Sequence, residues 1–302
     1  MRTMKILECV PNFSEGRDAG TVRAIAAAIE AVRDVRLADV NRDADHNRSV
    51  FTFLGEADNV VRAALAAAQA AFARIDLRAH QGAHPRIGAA DVVPFVPLAD
   101  ADMRDAVAAA HRFGREAGGR FNLPVYFYGE AALDPRRRHL PEVRRGGYEK
   151  LPERLCDPGW KPDAGPCAFN PRLGAMIVGA RIPLVAFNVD LATEDLSIAS
   201  DIARQIRESC GGLPAVRALG VPLRSRRLVQ VSMNLTDCLE TPVASAFRRI
   251  RELAGQIGVE IVESELIGLA PRAAFAGISP EELKLKDFSE ASFLETHIEA
   301  FH

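Results

Sequence analysis

The order of apolar segments constrains the fold of this chain more than any other feature. From residue 4 onward, the spacing of hydrophobic residues alternates between the period of a strand and that of a helix. It predicts strands over residues 4–10, 35–40, 49–54 and 91–96, and helices near 22–32 and 57–74. The same order, β-α-β-β-α-β, begins again at Leu184 without obvious sequence identity between the halves. The sequence therefore predicts one architecture built twice.

This order is the split βαβ, or ferredoxin-like, pattern. A helix near 102–118 and a strand over 124–128 extend the first copy, and residues 130–174 then lose periodicity and collect Pro, Gly and Arg. We predict an α+β fold of two ferredoxin-like subdomains, residues 1–180 and 181–302, packed side by side with a ligand groove between them. Residues 264–302 predict a loop, a short helix and a poorly specified tail.

The composition argues against several classes of protein. Lys+Arg 38 against Asp+Glu 40 give a formal net charge of −2, so no global field favours nucleic acid or an anionic membrane. No apolar run approaches the roughly 20 residues that span a bilayer, and the first residues do not resemble a signal peptide. The five cysteines are odd in number and scattered, which favours reduced thiols over disulfides or a Cys-rich zinc site. We therefore expect a cytoplasmic protein without a nucleic-acid or membrane partner.

Residues 80–88 are the most distinctive stretch, with two histidines, an arginine and two glycines before a strand-like run. Gly82 and Pro85 predict a shaped loop and not a helix. Histidine titrates closest to neutrality, so His84 is a candidate for proton transfer, although a hydrogen-bonded surface histidine is the plain alternative. His80 and His84 would share a metal ion only in a helix, so we expect no metal.

Residues 39–48 form a second, polar cluster, rich in Asp and Asn. It is either a solvated turn or a polar wall that orients His84 or a substrate amino group. The spacing of an EF-hand and its closing glutamate are absent. Arg48 and Arg86 are candidates to pair with a dicarboxylate substrate through bidentate hydrogen bonds, although surface ion pairs would explain them equally well.

Residues 165–174 are the third candidate, a loop bounded by glycine and proline. It consists of Gly165, Pro166, Cys167, Ala168, Phe169, Asn170, Pro171, Arg172, Leu173 and Gly174. The ring of Phe169 could stack on a flat heterocycle. The loop fits neither a dinucleotide fingerprint nor a phosphate-binding loop, and the chain has no serine nucleophile elbow.

Several motifs, taken in order, resemble the glutamate formiminotransferase family. They are residues 10–16, 47–50, 82–92, 126–132, 165–174 and 185–189, and the resemblance runs from about residue 6 to about residue 272. It implies transfer of a formimino group from N-formimino-L-glutamate to N5 of tetrahydrofolate, with release of glutamate, in histidine degradation. It also implies two ferredoxin-like subdomains, a folate site in the groove between them, and a homodimer.

The resemblance assigns roles to individual residues. His84, in the His-Pro-Arg motif, is implied to be the acid–base catalyst. An aspartate that the animal enzymes place near that histidine aligns with Asn41, so Asp39 and Asn41 are the further candidate catalytic residues. Either Asp39, Asp43 or Asp45 supplies the charge, or the imidazolium is less stabilised.

Residues 165–174 are implied to contact the folate. An aromatic residue of that loop aligns with Leu173, so Phe169 is expected to carry more of the ring contact. Tetrahydrofolate is then a co-substrate, and no metal is implied.

Three alternatives stay open. The same site could transfer a formyl group between 5-formyltetrahydrofolate and glutamate, or the chain could bind folate without catalysis. A metal-dependent hydrolase that uses His46, His80 and His84 is the third alternative.

The bifunctional animal enzymes carry a cyclodeaminase domain after this one, whereas this chain is expected to end too early to contain it. A separate deaminase is therefore expected to process the product.

Overall fold

The computed structural model describes residues 4–301 and confirms an α+β fold with two sheets. The chain divides into two compact units, Met1–Arg181 (unit 1) and Ile182–His302 (unit 2). The side-by-side packing and the groove that the sequence predicts between them stay predictions. Along residues 4–301, no helix combines the length and the apolar composition that crossing a membrane requires.

Unit 1 is built on one mixed sheet. Its strands are β1 (Ile6–Cys9), β2 (Asn12–Phe13), β3 (Val35–Asp43), β4 (Arg48–Glu56), β5 (Ala90–Pro97), β6 (Val125–Gly129) and β7 (Met176–Ala180). Its helices are α1 (Ala19–Glu30), α2 (Ala57–Phe72), α3 (Met103–Phe121), α4 (Leu140–Arg144) and α5 (Leu151–Leu155). β1 and β2 lie between β4 and β5, β3 forms the edge beside β4, and β7 lies parallel between β5 and β6.

The helices α1, α2 and α3 cover one face of this sheet. Apolar residues that alternate along the strands, such as Leu7, Phe51 and Phe95, meet the apolar side of each helix in one buried core. Asp18 is the N-cap of α1 and Asp102 is the N-cap of α3, where a capping box satisfies free backbone N–H groups. We call the buried core between these three helices and the sheet the helix-side core.

Residues 130–174, which show no periodicity, cover part of the opposite face. Helices α4 and α5, which the sequence does not predict, contribute Val143, Leu151 and Leu155 to a smaller core there. These side chains pack with Val92 and Ile177 from the sheet. The segment is therefore an ordered cover for one end of unit 1.

Unit 2 repeats the strand order of the first half of unit 1. Its elements are β8 (Val185–Leu191), α6 (Leu196–Ile206), β9 (Val216–Leu223), β10 (Leu228–Leu235), α7 (Val243–Gln256), β11 (Ile261–Ile267) and α8 (Leu294–Ile298). The strands run β11-β8-β10-β9, as β5, β1, β4 and β3 do in unit 1. The expectation of a poorly specified tail is wrong, because Phe275, Leu283 and Phe293 are buried in the core of unit 2.

Candidate active site

The histidine loop, residues 80–88, lies against the turn between β3 and β4. The Ala83 N–H donates to the Asp45 carbonyl over 2.9 Å. Gly82 permits this approach, because a Cβ added there would lie 2.2 Å from the His46 carbonyl oxygen. The loop is irregular, as its glycines and proline predict. The turn thereby brings a second histidine to the loop.

His84 is half-buried and its imidazole has a defined orientation. Its Nδ1 lies 2.8 Å from the carbonyl oxygen of Pro85. Because a carbonyl only accepts hydrogen bonds, Nδ1 carries the hydrogen in the neutral ring and Nε2 keeps a lone pair. The ring centroids of His84 and His46 are 5.7 Å apart. The arrangement leaves the basic nitrogen of His84 available to a ligand.

Asp91 joins the buried Arg48 and the half-buried Arg144 next to this pair. Its Oδ2 accepts from Arg48 and from Arg144, each over 2.8 Å, and its Oδ1 accepts from the Ile87 N–H over 2.7 Å. The side chain of Asp91 has no exposed surface and that of Arg48 is 9% exposed. Two guanidinium groups against one carboxylate give this group a net positive charge, which suits an anionic part of a ligand.

A β-bulge directs Asp91 toward the arginines. Asn12 pairs with Val92 whereas Phe13 pairs with Ala90, so Asp91 is an extra residue in β5. Ala90 packs in the helix-side core and Val92 in the smaller core on the other face. The bulge releases Asp91 from strict alternation, and bulges beside functional sites commonly redirect one side chain in this way.

The electrostatics of the site favour a neutral His84. Burial and the charges of Arg48 and Arg144, with the neighbouring His46, hold the pKa of His84 well below its usual range. Burial also lowers the pKa of Arg48 to about 10, which leaves it protonated at neutral pH. His84 can therefore accept a proton at neutral pH. Its imidazolium then gives up that proton more readily than the imidazolium of an ordinary histidine.

Asp91 itself stays ionised. Burial alone would raise its pKa, but Arg144 and Arg48, with the Ile87 N–H, outweigh burial and hold that pKa below the usual range. The network therefore keeps its charges at neutral pH.

Asp39 and Asn41 lie on β3, on the same side of the sheet as Arg48. In the β3–β4 register, Asp39 is opposite Thr52 and Asn41 is opposite Val50, while Asp43 is opposite Arg48. Directly opposed residues of an antiparallel pair project to one face. Both side chains are half-buried. Their roles in catalysis stay predictions.

Arg86 occupies a separate cleft. It donates to Glu149 over 2.9 Å and to the His80 carbonyl over 3.2 Å, and its guanidinium lies 5.4 Å from the ring centroid of Tyr148. The cleft has a volume of about 660 Å³, and these residues line it together with others of the loop. Arg86 and Arg48 thus each have a carboxylate partner within the chain.

His80 has a structural contact and lies on the cleft side of the loop. Its Nε2 lies 2.9 Å from the Asn47 carbonyl, and burial lowers its pKa. Among residues 4–301, no three His, Cys, Asp or Glu side chains are grouped so that they could hold a metal ion. The metal-dependent alternative therefore gains no support from the described residues.

Residues 165–174 pack along the histidine loop. The Ala89 N–H donates to the Leu173 carbonyl over 2.9 Å, and Gly174 forms a bridge with Gly88. The Leu173 side chain is buried in the helix-side core. Phe169 is half-buried, with its ring centroid 5.5 Å from that of Tyr148. Two loops that the sequence singles out are therefore neighbours in the fold.

The structure adds three residues to the site. His46 appears in the sequence interpretation only within the polar loop and as a possible metal ligand. Asp91 and Arg144 are absent from it. A charged residue inside the apolar run of residues 87–97 was the available signal for Asp91, because a buried charge requires a partner. Arg144 lies in an aperiodic segment and gave no comparable signal.

Comparison with known proteins gives a consistent result. Residues 6–181 match the formiminotransferase domain, N-terminal subdomain, and residues 186–280 match the formiminotransferase domain. A glutamate formimidoyltransferase from Thermoplasma acidophilum is 44% identical over 98% of both chains. One from Streptococcus pyogenes is 39% identical over 97% of this chain and 99% of its own. A formimidoyltransferase-cyclodeaminase from Gallus gallus is 42% identical over 89% of this chain and 51% of its own.

Likeness to solved structures is weak. A microcompartment protein from Desulfitobacterium hafniense matches with a TM-score of 0.23 and 10% identity, over 87% of this chain and 93% of its own. Such a score carries no argument about fold or function.

Proposed function

The chain belongs to the formiminotransferase family, and from this premise we propose that it transfers the formimino group of N-formimino-L-glutamate to N5 of tetrahydrofolate. The second product is L-glutamate. Membership makes the chain a transferase, and the two relatives named glutamate formimidoyltransferase support the choice of donor. One observation carries the proposal: a half-buried imidazole, His84, is held neutral with Nε2 unprotonated beside a buried, positively charged group.

His84 acts as both base and acid in the proposed reaction. N5 attacks the formimino carbon, and Nε2 of His84 takes the proton that N5 releases. The imidazolium then returns this proton to the glutamate nitrogen of the tetrahedral intermediate. The bond between that nitrogen and the carbon breaks, and its electron pair stays on the glutamate amine. The lone pair of the terminal nitrogen re-forms the C=N bond, so the formimino group is left attached to N5. A lowered pKa favours both the neutral base and proton return from the imidazolium.

Charged residues around His84 complement the rest of the donor. The net positive group of Arg48, Arg144 and Asp91 favours a glutamate carboxylate nearby. Arg86 is a second candidate, at which a ligand carboxylate would compete with Glu149. We propose that Asp39 and Asn41 orient the substrate amino group or stabilise the imidazolium from the same face as Arg48.

Tetrahydrofolate is the co-substrate in this proposal. Residues 165–174 would contact it, with Phe169 against the ring system and Leu173 through its backbone alone. A homodimer and a separate cyclodeaminase remain predictions from the resemblance, and a cytoplasmic location remains a prediction from the composition.

A steady-state assay tests the proposal. Purified full-length protein is given tetrahydrofolate and N-formimino-L-glutamate, and glutamate release is followed. A parallel reaction contains 5-formyltetrahydrofolate and glutamate. Turnover in the first reaction alone is the expected result. Turnover mainly in the second would make the chain a formyltransferase, and bound folate without turnover in either would make it a folate-binding protein.

A further inference from the structure

His46 presents an unsatisfied ring nitrogen beside His84. The side chain is 9% exposed, and its buried Nε2 has no hydrogen-bond partner among residues 4–301. A buried polar atom of this kind destabilises a protein unless a ligand or an ordered water pairs with it. The ring lies next to the candidate catalytic histidine, with the centroids of His46 and His84 5.7 Å apart.

Two acidic residues lie on the turn that carries His46. The Asp43 carboxylate accepts from the His46 backbone N–H over 2.6 Å, and the next acid of the same turn is Asp45. The two acids are negatively charged, whereas the group of Arg48, Arg144 and Asp91 has a net positive charge. The site therefore suits a ligand with an anionic part and a cationic part.

The transferred group has the required chemistry. A formimino group on nitrogen is a formamidine, a strong base that is cationic at neutral pH and carries N–H donors on its terminal nitrogen. A formyl group has an oxygen at that position, which only accepts. The unprotonated nitrogen of a neutral imidazole accepts a hydrogen bond from the first group and none from the second.

We infer that Nε2 of His46 accepts a hydrogen bond from the terminal nitrogen of the formimino group, and that His46 thereby selects formimino over formyl donors. This inference rests on the proposed function and deepens it. The N–C–N unit of the donor then contacts both rings, with its reacting nitrogen at His84 and its terminal nitrogen at His46. His46 is a specificity residue and takes no proton in the reaction.

Replacement of His46 tests the inference. His46→Leu removes the acceptor, and we expect the KM for N-formimino-L-glutamate to rise about 10- to 100-fold, the range for a hydrogen bond to a charged group. The change in kcat should be smaller, because the hydrogen bond is present in substrate and product alike. The inhibition constant of N-formyl-L-glutamate should stay within about threefold of wild type, since no hydrogen bond is lost. His46→Gln keeps an acceptor oxygen, so its KM for N-formimino-L-glutamate should lie between the values of wild type and His46→Leu.

A histidine outside the site is the matched control. His111 lies on α3, where its Nε2 is 2.8 Å from the Ala131 carbonyl, so His111→Gln should leave both constants unchanged. Thermal unfolding of each variant checks that it folds, and His46→Phe, which also removes the acceptor but keeps a ring, carries the test if His46→Leu does not fold.

Two results would overturn the inference. Equal increases in the KM for the formimino donor and in the inhibition constant of the formyl analogue would mean that His46 only fills space. No change in either constant would mean that the ring does not contact the donor. A wild-type protein without formimino transfer would instead refute the proposed function, and the wild-type assay separates that failure from the other two.

Discussion

Replacing Asp91 with asparagine removes the carboxylate charge that Arg48 and Arg144 share. The side chain is fully buried, and each guanidinium lies 2.8 Å from its Oδ2. Asparagine has nearly the same shape, so the change leaves packing intact and isolates the charge. Two positive groups would then stay in a region from which water is largely excluded.

The expected loss of stability follows from this burial. Removing one partner of a buried ion pair costs about 3–5 kcal/mol, because the remaining charge is uncompensated. In units of about 150–250 residues, each kcal/mol lowers the melting temperature by about 2–4 °C. Asp91→Asn should therefore lower the melting temperature of unit 1 by about 6–20 °C.

Differential scanning calorimetry of the full-length protein at neutral pH measures this shift. Glu149→Gln is the matched control, because Glu149 also pairs with an arginine over 2.9 Å but is 65% exposed. An exposed pair contributes only about 0–1 kcal/mol, so the control should change the melting temperature by a few degrees at most. Equal shifts in the two variants would refute the assignment of Asp91 as a desolvated partner of both arginines.

The pH dependence supplies a second check on Asp91. Its folded pKa lies below the usual value of 3.8, so the ionised carboxylate stabilises the folded state above the unfolded pKa. That contribution is lost as the pH falls through the folded pKa. The difference between wild type and Asp91→Asn should therefore be constant from neutral pH to about pH 5 and shrink below about pH 4. A difference that persists unchanged in acid would contradict this origin.

Three further predictions concern the catalytic step and the folate. His84→Ala should lower kcat by about 10²–10⁴-fold while the folate Kd is unchanged, and a near-normal kcat would exclude general acid–base catalysis by His84. Arg144→Gln removes a charge that holds the pKa of His84 down, so the acidic limb of kcat/KM should move to higher pH. A pH–rate profile that matches wild type would contradict that reasoning. Phe169→Ala should raise the folate Kd, measured by fluorescence titration, by a larger factor than it lowers kcat, and an unchanged Kd would remove the ring from the site.

Most strands and helices could be predicted because each packs one apolar face on a core. The helix expected over residues 57–74 is Ala57–Phe72, and the strand expected over 91–96 is Ala90–Pro97. The sequence missed β2, because Pro11 lacks an N–H and reads as the end of a strand. The carbonyl of Pro11 still accepts from the Phe51 N–H over 3.1 Å, so pairing continues past the proline.

The site could be predicted only where chemistry is concentrated locally. His84 stands in a short motif of glycine, proline and arginine, which draws attention to it. Asp91 and Arg144 are 53 residues apart, and their pairing depends on a bulge and a short helix that leave no periodic pattern. Hydrophobic spacing reports which face of an element is buried, and it does not report which distant charge meets a buried one.

The aromatic residues of the last segment have a consequence for synthesis. β7, between β5 and β6, completes the sheet of unit 1 at Ala180, whereas the core of unit 2 includes Phe293. Domains generally fold as units while the chain emerges from the ribosome, N-terminal first. Unit 1 can therefore fold while unit 2 is still being translated. Unit 2 keeps apolar surface uncovered until Phe293 has been translated, so a nascent chain stalled before that residue would be a substrate for chaperones through unit 2.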